Sequence, residues 1–416
     1  MNKNIKLAVA GAVLALSSQA SNAGIIIPAG DWTIDINGNV NAFANWTKAD
    51  HASTATIVGG LAGTKDARGE DKTQGINTGL LPSWLGFTGK TRQNDVDVEF
   101  TISLQPNVSS NTAAGDSTPN ALFRQSYVTF GDKSWGSVKL GKDLGIFAGD
   151  AILNDMTLLG VGAGAANSGG STTLGGIGSG YIYAAWKGQV AYTTPNFNGF
   201  QATVGIVNPN QGVSGAVSGA NGALSAATGE LYQDRFGLEG KASYTFAADN
   251  FNGKIWVSGI SNKVQAGHSA SDTATYPEYT ATGADIGVNL NAGNAGLTAY
   301  YYTGDGLGTT FALANGYSQS NGKRDSDGGY VQATYILPTK TKLGLAYGRS
   351  NLDLASGEAA TSSKIVDSNE RKTVGLYHPL TKHLNLVAEW NQIEARAHGG
   401  NRQESTTGSL GAILFF

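Results

Sequence analysis

One stretch near the start of the chain, Asp31 to Trp46, alternates strictly between two kinds of residue. One face is apolar and begins and ends with a tryptophan, whereas the other carries acids, amides and a threonine, with Phe43 as its one apolar member. A period of two predicts a β-strand. The polar face is too polar for a soluble core, so the pattern favours a membrane β-barrel wall that faces lipid on one side and water on the other. Taken alone, the stretch also fits a long edge strand of a soluble sheet.

The first 23 residues have the pattern of a secretory signal peptide. Lys3 and Lys6 precede an apolar run, and Ser21-Asn22-Ala23 supplies small residues for cleavage, which we place after Ala23 with Ala20 as the alternative. Residues 24–416 are then expected to form a single domain. No run of about eighteen apolar residues follows residue 23, so a chain that crosses a membrane must do so as a closed barrel.

Composition excludes several classes of function. The chain has no cysteine, which removes disulfides, thiolate catalysis and cysteine-bound metals. Its formal charge of -3 becomes -5 once the two signal-peptide lysines are removed, and this is not the balance of a nucleic-acid binder. The five histidines lack a metal-site spacing, and no nucleophile elbow or phosphate-binding loop is present. We therefore expect no enzyme activity, no metal and no cofactor.

Alternating runs recur along the whole chain and predict about sixteen strands. Short polar turns alternate with long connections rich in Gly, Ser, Asn and Thr, and the chain ends on an aromatic residue, Phe416. This rhythm is typical of an outer-membrane barrel with short periplasmic turns and long external loops. The predicted strands are Asp31–Trp46, Gly79–Thr91, Val96–Gln105, Ala121–Phe130, Gly136–Lys142, Tyr181–Thr194, Gly199–Val207, Gln233–Ala247, Gly253–Asn262, Gly283–Asn291, Gly296–Thr303, Gly329–Leu337, Thr341–Ser350, Arg371–Pro379, His383–Arg396 and Glu404–Phe416.

The longest connection, Asp143 to about Gly180, is too apolar in its first half to be a solvated loop. Asp150–Leu159 could form a short helical turn, and Asp143, Asp150 and Asp155 lie among large apolar residues. A barrel of this size encloses a wide aqueous lumen. We expect the loop to fold inward and narrow that lumen; the alternatives are packing on other external loops or at a subunit contact.

The block from Phe123 to Gly162, FRQSYVTFGDKSWGSVKLGKDLGIFAGDAILNDMTLLGVG, resembles the fourth strand, turn, fifth strand and third loop of the Gram-negative general porins. The rest of the chain resembles that family in its strand plan and terminal Phe. The resemblance implies a trimeric outer-membrane channel in which Arg124 and Lys142 face the constriction. Two departures are a lysine at position 142, where an arginine is common, and a third loop without the Pro-Glu-Phe-Gly-Gly turn of enterobacterial members.

Strand parity assigns further charged residues to the lumen. We expect Arg124, Lys139 and Lys142 to face Asp143, Asp150 and Asp155 across a narrow aqueous gap, where opposite charges make a transverse field. Each residue could instead form a wall salt bridge without effect on transport. The basic lumen candidates are Lys90, Arg124, Lys139, Arg235, Lys241, Lys342 and Arg371, and the acidic ones are Asp35, Asp97, Glu99, Glu239, Asp285 and Glu389.

The sequence thus predicts an all-β, sixteen-stranded antiparallel transmembrane barrel that allows passive diffusion of small hydrophilic solutes and ions. Outer-membrane lipid and lipopolysaccharide are the expected surroundings, and a homotrimer is the assembly that the resemblance implies. The alternatives are a substrate-specific channel, which could have eighteen strands, a surface barrel for recognition or adhesion, and a secreted soluble β-protein.

Overall fold

The structure, a computed structural model, describes residues 24–52, 57–66, 68–106, 108, 121–164, 172–209, 235–265, 278–318, 322–360 and 364–416. The predicted signal peptide lies outside these ranges. No helix among the described residues has the length and apolar character needed to cross a membrane.

The described chain is almost entirely β-structure, and every neighbouring pair of strands is antiparallel. The strands are β1 (Ile25–Ala29), β2 (Trp32–Ala52), β3 (Lys72–Asn77), β4 (Trp84–Gln93), β5 (Val96–Pro106), β6 (Ala121–Asp132), β7 (Gly136–Leu144), β8 (Trp186–Thr193), β9 (Phe200–Val207), β10 (Gly237–Ala248), β11 (Phe251–Gln265), β12 (Glu278–Ala292), β13 (Ala295–Asp305), β14 (Tyr317–Ser318), β15 (Gly322–Lys323), β16 (Asp325–Ile336), β17 (Lys342–Leu352), β18 (Val366–Pro379), β19 (Leu384–Ala397) and β20 (Arg402–Phe415).

These strands form a closed sixteen-stranded barrel. β3 and β4 share one wall position because both pair with β2, while β14 and β15 form a separate hairpin. The barrel closes between β2 and β20, from Asn39 opposite Phe415 to Ala52 opposite Gln403, and β1 pairs with the rest of the same edge of β2. Beyond the last paired residues, two backbone hydrogen bonds join Gly38 and Phe416: Gly38 N donates to Phe416 O at 2.8 Å, and Phe416 N donates to Gly38 O at 3.0 Å. The predicted sixteen-stranded antiparallel barrel is confirmed.

Side chains alternate between the two faces of the wall as β2 predicts. Val40 and Trp46 are exposed on the outer face, whereas Asn39, Asn41 and Asn45 are buried inside. The amides bond to one another and to loop backbone, as in Asn41 Nδ2 to Leu81 O at 3.0 Å. Buried polar groups need such partners, so the polar face is satisfied by material inside the barrel.

The connections also follow the predicted rhythm. β4 and β5 are joined by Asn94 and Asp95 alone, and both have positive φ, at 49° and 62°. Two adjacent residues of this kind make the mirror-image turn that matches the twist of a hairpin. At the opposite end, the connection from β7 to β8 runs from residue 145 to residue 185. Short turns therefore mark the periplasmic end and long loops the external end.

The second wall strand differs from the prediction of one continuous run, Gly79–Thr91. The chain leaves the wall between β3 and β4, and Thr78, Leu80 and Leu81 become buried inside the barrel. Leu80 N donates to Gly160 O at 2.9 Å. Leu80 and Leu81 therefore pack inside the barrel, whereas Phe87 of the same predicted run is exposed on the outer face, and a period of two cannot reveal this difference.

The core of this protein lies inside the barrel. The connection after β7 contains a short helix, α1 (Gly149–Leu153), and a 3-10 turn, Met156–Leu159. Its apolar side chains join one buried cluster with inward-facing residues of the wall, including Phe43, Trp256 and Tyr330. The inward course predicted for this loop is therefore observed, and we call residues 143–185, which run up to the start of β8, the constriction loop.

Candidate functional site: the constriction loop and its anchors

Apolar packing holds the centre of the constriction loop in place. Phe147, Ala151 and Val161 are at most 1% exposed. A buried large apolar side chain contributes on the order of 2 kcal/mol by leaving water. The hydroxyl of Tyr330 donates to Ala151 O at 2.8 Å, so the wall also bonds the loop backbone directly.

Wall carboxylates supply the second kind of anchor, because they accept hydrogen bonds from loop backbone N–H groups. Glu239 on β10 accepts from Ile146 N at 2.8 Å and Phe147 N at 2.9 Å. Glu389 on β19 accepts from Val161 N at 3.1 Å and Gly162 N at 2.8 Å. Both acids had been predicted as lumen charges. Their use as acceptors for loop backbone is not visible in the sequence.

Asp285 on β12 repeats this arrangement at the start of α1. Its Oδ2 accepts from Ala148 N at 3.3 Å and from the hydroxyl of Tyr300 at 3.0 Å. Ala148 has a positive φ of 57°, a conformation that costs an alanine free energy and that the surrounding contacts must hold. Gln332 is a further wall residue that holds the loop backbone, because its side-chain oxygen accepts a hydrogen bond from Met156 N at 2.9 Å.

At Asp150 the roles of loop and wall are exchanged: the loop provides the acid, and the wall provides the bases. Lys241 on β10 lies 3.0 Å from Asp150 Oδ2, and Lys254 on β11 binds Oδ1. Burial would raise the pKa of the Asp150 carboxyl, but the two ammonium groups outweigh it and lower the pKa below the ordinary value. Asp150 is therefore a carboxylate with two cationic partners.

Asp155 connects three parts of the site. It caps the 3-10 turn by accepting from Thr157 N at 2.9 Å, and its Oδ2 accepts from Gly176 N at 2.9 Å and the Tyr181 hydroxyl at 2.8 Å. Arg371 on β18 lies 3.5 Å from the same oxygen. Burial, with the negative charge of Asp155 beside it, raises the pKa of the Tyr181 phenol well above its usual range, so Tyr181 remains a neutral donor.

Lys139 and Asp143 form an ion pair at the beginning of the loop. Gln125 Nε2 donates to Asp143 at 3.1 Å, and the Lys139 ammonium lies 4.6 Å from the Tyr127 ring centroid. All three loop acids thus contact wall bases directly. These contacts are direct, where a narrow aqueous gap was expected, and the bases beside Asp150 and Asp155 include Lys241, Lys254 and Arg371.

Lys142 is the clearest correction. It lies two residues from outward-facing Leu140 and is paired with Ser126, which itself stands opposite the exposed Ile102. Its ammonium donates to Phe123 O at 3.0 Å. Parity therefore places Lys142 on the outer face of the wall, away from the lumen.

Arg124 lies where the pairing of β5 with β6 shifts register, between Ser103 and Leu104. Its backbone N–H donates to Gln105 Oε1 at 3.0 Å. Burial raises the pKa of the Tyr183 phenol, and the positive charge of Arg124 partly opposes this rise. Arg124 is thus electrostatically coupled to the distal part of the constriction loop.

The remaining predicted lumen charges are distributed along the wall. Lys90 pairs with Glu99 at 3.1 Å, and Asp97 pairs with Arg92 at 2.8 Å near the periplasmic turn. The Lys342 ammonium lies 4.7 Å from the Tyr377 ring centroid. Arg235 is exposed just before β10, outside the wall.

Two basic anchors were not predicted. Lys254 alternates with outward Ile255 and Val257, so the period of its strand contained the signal. Lys187 is buried and pairs with Glu239. Lys187 lies next to Trp186, where β8 begins. At this position the sequence does not show whether the lysine is buried in an ion pair or exposed to water.

Together, the fold and the site define a class: a membrane barrel whose lumen is narrowed by a loop anchored to the inner wall. The family model described as Gram-negative porin matches residues 8–398. The chain belongs to the Gram-negative porin family, and it is an outer-membrane channel for passive diffusion of solutes.

Solved structures show the same fold at low sequence identity. The outer membrane channel DcaP of Acinetobacter baumannii is 17% identical over 95% of this chain and 100% of that one, with a TM-score of 0.64. Salmonella typhi OmpF, in complex with daunomycin, is 13% identical over 94% and 100%, with a TM-score of 0.56. The trimer form of Vibrio cholerae OmpT is 15% identical over 92% and 99%, with a TM-score of 0.52. No curated protein matches the chain.

Proposed function

We propose that the constriction loop sets the bore of a water-filled channel for small hydrophilic solutes and ions. The observation that carries this proposal is the double anchoring of the loop inside the lumen: Asp150 is bound by two wall lysines, and Asp155 is bound by Arg371. A loop held at several points keeps a fixed cross-section, which a passive diffusion channel requires.

At the Asp150 anchor, the charges that water in the lumen reaches are cationic. The side chains of Lys241 and Lys254 are 26% and 14% exposed, whereas that of Asp150 is 1% exposed. Ile255 and Val257 alternate with Lys254 on the outer face, so the exposure of Lys254 is to the lumen. This supports a moderate preference for anions over cations.

The proposed assembly is a homotrimer embedded in outer-membrane lipid and lipopolysaccharide after removal of residues 1–23. Support comes from the apolar outer face of the wall and from the trimer form of the related OmpT. The channel works without turnover: solutes move down their gradients and no bond is made or broken.

Planar-bilayer recording of the purified protein tests the proposal. We expect large stepwise openings that occur in groups of three and a reversal potential in a salt gradient that indicates mild anion preference. Folded protein, verified by heat-modifiable gel migration, that gives no conductance would refute the channel and favour a recognition barrel.

A further inference from the structure

A second segment, residues 306–318, follows β13, includes β14 and also turns into the barrel. Leu307 and Leu313 are at most 1% exposed and belong to the same buried cluster as Phe147 and Tyr181 of the constriction loop. We call residues 306–318 the second inward segment.

Its position against the inner wall follows from two glycines. The Leu307 Cδ1 atom lies 2.4 Å from where a Cβ on Gly283 would stand and 2.7 Å from that of Gly304. Gly283 and Gly304 face inward because their neighbours two residues away, Asp285 and Tyr302, are buried while Tyr301 is exposed outside. Any side chain at either glycine would displace Leu307, so these positions leave room for the segment.

The depth of the segment follows from β12. Tyr317 stacks on inward-facing Tyr279 with ring centroids 4.2 Å apart, and Leu307 reaches Gly283, five residues after the external start of the strand at Glu278. Five residues of a strand tilted by about 40° span on the order of 13 Å along the barrel axis. The second inward segment therefore lies within the external part of the lumen.

The second inward segment contacts the far end of the constriction loop. Tyr183 N donates to Thr310 O at 2.9 Å, and the rings of Tyr183 and Phe311 meet edge to face at 5.9 Å. A Cβ on Gly178 would lie 2.4 Å from Thr310 Oγ1 and 3.0 Å from Leu61 Cδ1. Three separate loops thus converge at Gly178.

A buried ion pair fixes the base of the segment. Arg324, which is fully buried, donates to both oxygens of Glu358, at 2.8 and 2.6 Å, and to Asn315 O at 2.9 Å. A bidentate pair of this kind restricts both position and orientation. The second inward segment is consequently held from the wall side, by Arg324, and from the lumen side, by the constriction loop.

We propose that the second inward segment forms, with Tyr183 of the constriction loop, an outer restriction of the channel, and that the half-buried ring of Phe311 sets the largest uncharged solute admitted. This inference rests on the proposed channel function. It assigns size selection at the external mouth to Phe311 and Tyr183, and not to the Asp150 and Asp155 anchors.

The test is the swelling rate of proteoliposomes in uncharged sugars, from a monosaccharide to a trisaccharide. We expect Phe311→Ala to raise the trisaccharide swelling rate relative to the monosaccharide rate by about twofold or more. Phe311→Trp should lower this ratio, because the entry of an uncharged sugar depends on the diameter of the narrowest part of the channel. The outward-facing Tyr347→Ala is the matched aromatic control and should leave the ratio unchanged.

The outcomes separate the two proposals. Wild-type vesicles that swell, with the same sugar ratio for Phe311→Ala and Phe311→Trp, overturn the outer restriction and leave the channel intact. Wild-type vesicles that fail to swell in the monosaccharide overturn both. Glu358→Ala, which loosens the base of the segment without changing the aromatic pair, should move the ratio in the same direction as Phe311→Ala.

Discussion

Replacing Asp155 by alanine removes the most connected acid of the constriction loop. The change deletes three accepted hydrogen bonds and leaves the guanidinium of Arg371, which is 1% exposed, without its carboxylate. Breaking a buried pair by removing one partner costs about 3–5 kcal/mol. At about 1.4 kcal/mol per tenfold change, the ratio of seated to released loop falls by roughly 10²–10⁴.

Single-channel recording measures this loss directly. We expect Asp155→Ala to give a larger and noisier open-state current than the wild type, because the released loop no longer narrows the lumen. Adding Arg371→Met should restore part of the wild-type behaviour, since an apolar residue of similar length removes the orphaned charge.

Asp132→Ala is the matched control. Asp132 also binds an arginine, Arg92 at 3.0 Å, but this pair lies on the exposed periplasmic turn, where water screens the attraction and the pair does not touch the constriction loop. We expect the Asp132→Ala variant to have the wild-type current. Wild-type current and noise from Asp155→Ala, or a double variant no closer to wild type than the single one, would refute the anchoring role.

Four further predictions follow from the site. Lys241→Gln or Lys254→Gln should lower the anion-to-cation permeability ratio by up to about tenfold at low ionic strength, because one unit charge about 6 Å from an ion in water changes the anion and cation concentrations about threefold each, in opposite directions. Unchanged reversal potentials would contradict the inference that these lysines are exposed to the lumen. Lys142→Gln should leave conductance and selectivity unaltered because the side chain is on the outer face, and a selectivity shift would contradict that placement. The pKa of Asp150 is lowered from its ordinary value of 3.8, so the stability that its carboxylate gives the folded protein is present above pH 3.8 and is lost only as the pH falls through the lowered pKa. The difference in thermal stability between wild type and Asp150→Asn should therefore stay constant from pH 7 to about 4.5. A difference that vanishes in this range would argue against the pairing of Asp150 with two lysines. Glu239→Ala leaves Lys187 buried without its partner and should lower the unfolding temperature in detergent more than Glu99→Ala, whose partner Lys90 is exposed; equal shifts would count against a buried pair.

The wall was predictable because a barrel strand has to satisfy lipid and water on alternate residues, and β2 carries that alternation from Trp32 to Trp46 with Phe43 as the one exception. The inward course of the constriction loop was also predicted, since Ile146, Phe147 and Leu158 are too apolar for a solvated loop, although packing on other external loops or at a subunit contact was an alternative.

The partners inside the lumen were harder to predict. Glu239 and Glu389 bind backbone N–H groups of residues more than eighty positions away, and no local pattern encodes such contacts. Lys142 misled because the resemblance placed it in the pore, while the parity it shares with Leu140 places it outside. The break between β3 and β4 was hidden because apolar residues that face a loop look the same as apolar residues that face lipid.

The most direct test of the account uses the absence of cysteine in the chain. Ser243 and Tyr244 are neighbours on β10, and Tyr244 is exposed on the outer face, so Ser243 faces the lumen. A negatively charged thiol reagent added during recording should reduce the current of Ser243→Cys and leave that of Tyr244→Cys unchanged. The opposite pattern, or no change in either, would contradict a conducting lumen bounded by this face of the wall.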